Sequence, residues 1–316
     1  MTDTPLSGTP EPRADAPETP ASPYKNLFVP LVVVPAVIVG AIIVVFLFFG
    51  AITGREASLS ENVDRVVHGG QAERKQAAFN MVRQIAENRQ AALDGKSSPW
   101  PVESDFLPKL RSAWDSTSAS DPYIRLVLAS LLAQLDDPEG VPSLLALLDT
   151  PASDDADGSV RFNALANLGA LGDPRAEAAA VRVLQQSEDP GLRAVAAIAL
   201  QRIPGDAGLA ALRGAVGDQL LEVRANAALA LAMRGDPAGA VVLRELLDPA
   251  AYQTENGRDA SKFAVARRVS ESRVAAIQAL ARLRRAEDRA AIERVANDDE
   301  DLAVREAGMK ALQGWP

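Results

Sequence analysis

Seven arginines mark one helical register in this chain, and that recurrence constrains its fold more than any other feature. Counting from Arg74, Arg125, Arg161, Arg193, Arg224, Arg273 and Arg305, position i+3 holds Ala77, Leu128, Ala164, Ala196, Ala227, Ala276 and Gly308. Position i+4 holds Ala78, Ala129, Leu165, Ala197, Ala228, Ile277 and Met309, and i+7 holds Met81, Leu132, Leu168, Leu200, Leu231, Leu280 and Leu312. Small or aliphatic residues at those offsets form one apolar stripe on an α-helix. The arginines are 51, 36, 32, 31, 49 and 32 residues apart, a unit of 31 or 32 residues with two large insertions and one small one. Such a period signals stacked supersecondary units, none of which buries its apolar face alone. Aromatics are only 4% of the residues, so Ala, Leu and Val must fill the interior, as closely packed helices require.

Between the arginine helices the sequence predicts second helices over Val141–Leu148, Ala176–Gln185, Gly208–Val216, Ala238–Leu247 and Asp288–Val295. Their joints carry helix punctuation. Gly172-Asp173-Pro174 and Gly235-Asp236-Pro237 each supply a terminating glycine, a capping Asp and a first-turn Pro, and Gly205-Asp206 is a shortened version. Asp121, Asp157, Asp189 and Asp301 each lie four residues before a register arginine, which predicts both a helix cap and an i,i+4 ion pair.

Ahead of the repeats, Leu27 to Phe49 is a 23-residue apolar run without a charge, about 34 Å as a helix at ~1.5 Å per residue. That exceeds the ~30 Å hydrocarbon core of a bilayer, and no small-residue cleavage site follows, so a transmembrane helix within residues 25–53 is expected rather than a signal peptide. Pro30 falls in its first turn, and Pro35 should kink it or be compensated locally. Arg13 and Lys25 on one side balance Arg55 and Arg65 on the other, so the positive-inside rule gives no vote on sidedness. Residues 1–24 hold six prolines among Thr, Ala and acids, the composition of a disordered tail.

The register, with Asp-Pro, then Val or Leu before Arg, then a small pair and Leu, resembles the HEAT repeat in the short form of phycobilisome-lyase-type HEAT proteins. The resemblance covers about residues 60–314 of a repeat domain placed at 60–316 and is cleanest over 157–248. It implies an all-α fold, an α-solenoid of about seven helical hairpins whose arginine helix is the inner one of each pair. The first repeat departs from it, since no Asp-Pro precedes Arg74 and Lys75. One branch of HEAT-like proteins, deoxyhypusine hydroxylase, holds a di-iron centre with several His-Glu pairs, whereas this chain has a single histidine, His68.

With one histidine and no cysteine, the chain has no thiolate metal site and no choice of catalytic bases. His68, before Gly69 and Gly70, is expected to close a helix. Ser153 to Gly158 imitates the front of a calcium loop, but position 12 of that register is Ala164 rather than Glu, so a solvated loop with Asp157 capping the next helix is expected. Asp298, Asp299, Glu300 and Asp301 are likewise expected to be loop and cap. No catalytic residue, metal or cofactor is assigned.

Charge is uneven. The chain carries −9, which argues against nucleic acid as a partner. From Arg258 to Arg294 ten basic residues (Arg258, Lys262, Arg267, Arg268, Arg273, Arg282, Arg284, Arg285, Arg289, Arg294) meet five acidic ones, a local +5 that leaves −14 for the rest. Arg267, Arg268, Arg282, Arg284 and Arg285 are therefore candidate contacts for an acidic partner or for anionic lipid, against the plainer reading that neighbouring acids pair them. The insertions Asn88–Asp105 and Pro249–Val269 interrupt the short-looped array. Near the first, Trp100 and Trp114 could anchor a partner, although capping of the terminal repeat is the favoured role. The expected function is a membrane-anchored, non-catalytic scaffold for other proteins, an accessory part of a membrane complex. The alternatives are a lyase or cofactor chaperone, implied only by the resemblance, and a lipid- or envelope-binding module.

Overall fold

The computed structural model describes residues 56–252, 262–313 and 315. The tail of residues 1–24 and the apolar run Leu27–Phe49 lie outside them. No helix among the described residues is long and apolar enough to cross a membrane. One compact unit spans Ser58–Pro316, and its described residues form fourteen α-helices and no strand.

In chain order the helices are α1 (Leu59–His68), α2 (Gln71–Leu93), α3 (Phe106–Ser116), α4 (Pro122–Gln134), α5 (Gly140–Leu147), α6 (Ser159–Leu171) and α7 (Glu177–Gln186). There follow α8 (Pro190–Leu200), α9 (Asp206–Ala215), α10 (Leu221–Met233), α11 (Ala240–Glu245), α12 (Lys262–Leu283), α13 (Ala286–Asp298) and α14 (Leu302–Gln313). All seven register arginines fall on the even-numbered helices, one on each. Each even helix packs on the odd helix before it and on the even helices on either side, α2 on α4, α4 on α6, and so on to α14. That two-column ladder is the solenoid expected from the sequence.

The apolar stripe accounts for the stacking. The i+4 residues Ala78, Ala129, Leu165, Ala197, Ala228 and Ile277 and the i+7 residues from Met81 through Leu280 are wholly buried. The core is handed on within single helices. One face of α4 joins the cluster of α1 to α4 and its other face joins the central cluster, and α10 does the same between the central and C-terminal clusters. Small residues let neighbouring backbones approach. A Cβ on Gly169 of α6 would lie 2.6 Å from the Cα of Ala199 in α8, so only glycine fits there.

The helix ends follow the punctuation in most places. Ser58 and Glu61 form a capping box at the start of α1, with Ser58 Oγ 3.3 Å from the amide of Glu61 and that carboxylate 2.8 Å from the amide of Ser58. Gly172 ends α6 in the left-handed region, and Asp173 and Asp236 accept from the amides of Arg175 and Ala238 at 2.8 and 2.9 Å. Gly205-Asp206 works differently from the expectation. Asp206 is already helical and caps nothing, and Glu177 of the preceding repeat accepts from the amide of Gly208 at 2.8 Å instead. The Glu177 carboxylate fills the place of a Cβ at residue 205, whose φ of 141° also demands glycine.

Two insertions are smaller than the sequence suggested. Helix α2 continues through Asn88 to Leu93, so the first loop begins at Asp94, and α3 occupies Phe106–Ser116. Helix α12 starts at Lys262, well ahead of Arg273, so part of the second insertion is helix.

Candidate interaction surface

The register arginines are structural, and they act across the joints. A helical side chain leans toward its own N-terminus, which aims these guanidiniums at the end of the preceding helix. Arg161, Arg193, Arg224 and Arg305 donate to the carbonyls of Asp155, Ser187, Asp218 and Asp299, each six residues earlier, at 3.2, 2.9, 3.2 and 2.7 Å. Arg74 and Arg273 reach the equivalent places, the carbonyls of Val66 near the end of α1 and Leu247 after α11, at 2.7 and 2.8 Å. A cation on those unpaired carbonyls also meets the negative end of the helix dipole.

The same arginines reach forward to an acid at the next joint. Arg74 pairs with Asp121 at 2.8 Å, Arg193 grips Asp218 through two nitrogens at 2.9 and 3.2 Å, and Arg273 grips Asp299 likewise. Burial, the largest influence on the Asp218 carboxyl, pushes its pKa up. The Arg193 and Leu220 hydrogen bonds and the charges of Arg193 and Arg224 outweigh it and hold the group below the usual range. The predicted i,i+4 pairs do not form. Asp121, Asp189 and Asp301 cap first-turn amides, while Arg193 and Arg305 go to carbonyls, Arg193 also to Asp218 of the next joint, and Arg125 to the Trp114 ring.

Asp155 rather than Asp157 secures α6. It is buried and accepts from the amides of Val160 and Arg161 and from the Arg161 side chain at 2.9, 3.1 and 2.9 Å. Gly158 is the cap residue, and Asp157 accepts from the amide of Ser159 at 3.0 Å. Because Asp155 turns to Arg161, Arg125 lacks the forward acid that Arg74, Arg193 and Arg273 have. It stacks on Trp114 at 4.2 Å, and its buried Nε has no hydrogen-bond partner.

Positions i+1, i+5 and i+8 of α4, α6, α8 and α10 are uncharged, and most of them are buried between helices: Leu126, Ser130 and Ala133 on α4, Gly169 on α6, Ala194 on α8, and Ala225 and Ala232 on α10. Phe162 on α6 and Ile198 on α8 are exposed, the latter by 50%, and Leu229 on α10 is half-buried. Met233 on α10 and Phe79 and Val82 on α2 are also exposed. Charge returns on α14 with Glu306 and Lys310. The sequence reading did not single out these exposed apolar residues, and the register alone would not have found them, because the same offsets are buried on α4.

The other candidates are placed as follows. Trp100 is half-buried, its indole donating to Glu87, its backbone amide 3.0 Å from the Asn88 side chain and its ring 5.5 Å from the Arg83 guanidinium. The indole, then Arg83, hold the Glu87 carboxyl below its ordinary range. Trp114 packs between the N-terminal and central clusters. Both tryptophans thus secure the first repeats. Within the basic segment, Arg273 is buried, Arg267 pairs with Glu271 at 2.8 Å, Arg289 with Glu293 at 2.9 Å, and Arg285 with Glu287. Arg268, Arg282, Arg284 and Arg294 are exposed, and Arg258 lies outside the described residues. The patch is therefore weaker than its formal charge. His68 is the exposed last residue of α1.

The model of HEAT repeats matches residues 107–201, 150–219 and 178–255, so the middle of the domain carries HEAT repeats. No curated protein matches the chain in sequence. Among solved structures, the complex of CpcE and CpcF of phycocyanin lyase from Nostoc sp. is similar at 18% identity, covering 82% of this chain and 88% of that one with a TM-score of 0.46. Human deoxyhypusine hydroxylase in complex with glycerol is similar at 18% identity, covering 81% and 94%, with a TM-score of 0.31.

Proposed function

We propose that this chain is a single-pass membrane protein whose HEAT repeats scaffold other proteins, as an accessory part of a membrane complex and without catalysis of its own. One observation carries the reading. An acidic domain exposes the apolar side chains of Phe162 on α6 and Ile198 on the neighbouring even helix α8, while its register arginines are committed to the joints between repeats. Exposed apolar side chains on adjacent helices favour a protein partner over solvent. The charge-free run Leu27–Phe49 supports the anchor, and a tether raises the local concentration of whatever the repeats hold at the bilayer.

A photo-crosslinking residue in place of Ile198, in the full chain in its native membranes, tests the scaffold. The expected adduct is a discrete protein that Phe162→Glu abolishes and that a probe at Ala178, exposed on the odd helix α7, does not capture. Identical adducts from both positions would remove the basis of the reading. The anchor is tested separately, because deletion of residues 27–49 should release the chain on alkaline carbonate extraction.

A further inference from the structure

The two ends of the helix ladder differ. At the N-terminal end, the side of α2 turned away from α4 carries Glu73, Gln76 and Asn80, and Trp100 is fastened over Glu87. That end is polar and covered, as terminal repeats of stacked arrays ordinarily are. At the C-terminal end, α14 is the last described helix, and the side with which each earlier even helix packs on its successor faces solvent. Its i+4 residue, Met309, is 51% exposed, although the i+4 residue is wholly buried in all six other repeats. Leu302, one turn before Arg305 on the same side, is 70% exposed.

We propose that this open face of α14 is a dimerisation surface, occupied by α14 of a second copy of the chain packed antiparallel about a two-fold axis. The charges on the face specify that occupant. Glu306 and Lys310 are exposed one turn apart on either side of residue 308, and neither is in an ion pair among the described residues. A two-fold axis beside residue 308 sets Glu306 of each copy against Lys310 of the other, so both pairs form at once and Met309 is covered between them. Such an isologous contact closes on itself. Head-to-tail addition would instead set Met309 and Leu302 against the polar side of α2, so a pair is favoured over a fibre.

Because the sequence contains no cysteine, single cysteines report the contact cleanly. In the full chain in detergent micelles, Met309→Cys should oxidise to a covalent dimer, and Val241→Cys, 67% exposed on α11, should not. Sedimentation velocity on chains without cysteine supplies the second arm. Glu306→Lys sets like charges together twice and should weaken self-association by about five-fold or more, and Glu306→Lys combined with Lys310→Glu should restore it. Restoration by the swap is what a merely adhesive apolar patch would not give. Equal crosslinking at residues 309 and 241, or association indifferent to the charge swap, would overturn the proposal. Circular dichroism melts on each variant keep a folding defect from passing as either result.

Discussion

Removing the Asp218 carboxylate should uncouple two repeats, and the structure sets the size of the effect. Asp218 lies at the joint before α10, accepts two hydrogen bonds from Arg193 of α8 and one from the amide of Leu220, and its backbone carbonyl receives Arg224. The two side chains are only 15% and 17% exposed, so little of the pair is screened by water. Stripping the partner from a buried charge costs about 3–5 kcal/mol. Arg193 keeps the carbonyls of Ser187 and Glu188, which lowers that figure, and the lost amide contact adds up to about 1 kcal/mol. A net cost of about 2–3 kcal/mol is expected for Asp218→Ala at pH 7. In urea denaturation of residues 58–316 this is a midpoint shift of about 1 M at an m-value of 2–3 kcal/mol/M, with a broadened transition as the two halves separate. The pH dependence has a definite sign. The folded pKa lies below the unfolded value of about 3.9, so the stabilisation is complete above that value and disappears as the pH falls through the folded one. The gap between wild type and variant should therefore close in acid. Arg175→Ala breaks the exposed pair with Asp173 and serves as control, with an expected change within about 0.5 kcal/mol. Equal effects from the two variants, or a gap that persists in acid, would refute the reasoning.

Gly169→Val forces side-chain atoms into the backbone of Ala199 and should cost at least about 1–3 kcal/mol, read as a lowered melting temperature; an unchanged melt would mean that α6 and α8 are not in contact. Ile198→Ala and Leu200→Ala remove similar volumes two residues apart on one helix, yet the first should be neutral within about 0.5 kcal/mol and the second should cost about 2–5 kcal/mol in urea titrations. Trp114→Ala removes both a packed ring and the surface on which Arg125 rests, so it should destabilise the chain by about 3–5 kcal/mol, and a neutral result would free Trp114 for partner binding.

The fold was largely legible because its determinants are local and repeated. The i+3, i+4 and i+7 offsets located all seven even helices, and Gly-Asp-Pro marked two joints, since apolar periodicity and capping are written within one helix turn. What stayed hidden depended on contacts between repeats. An Asp four residues before an Arg looks like a helical ion pair, but only the stacked structure shows Arg193 choosing Asp218, 25 residues away, over Asp189. Asp155 outcompeted Asp157 because its carboxylate is drawn beneath the first turn of α6, a matter of loop path rather than spacing. Glu177 capping α9 was invisible for the same reason. The basic segment misled because a formal charge count cannot tell the buried Arg273 from the exposed Arg268.

The stacking of successive even helices is the claim on which the arginine joints and the open end both rest, and nuclear Overhauser contacts test it most directly. In residues 58–316 with labelled alanine methyls, the Ala199 methyl of α8 should show a strong cross-peak to the α-protons of Gly169 of α6. Well-resolved resonances for these residues without that cross-peak would contradict the ladder of repeats.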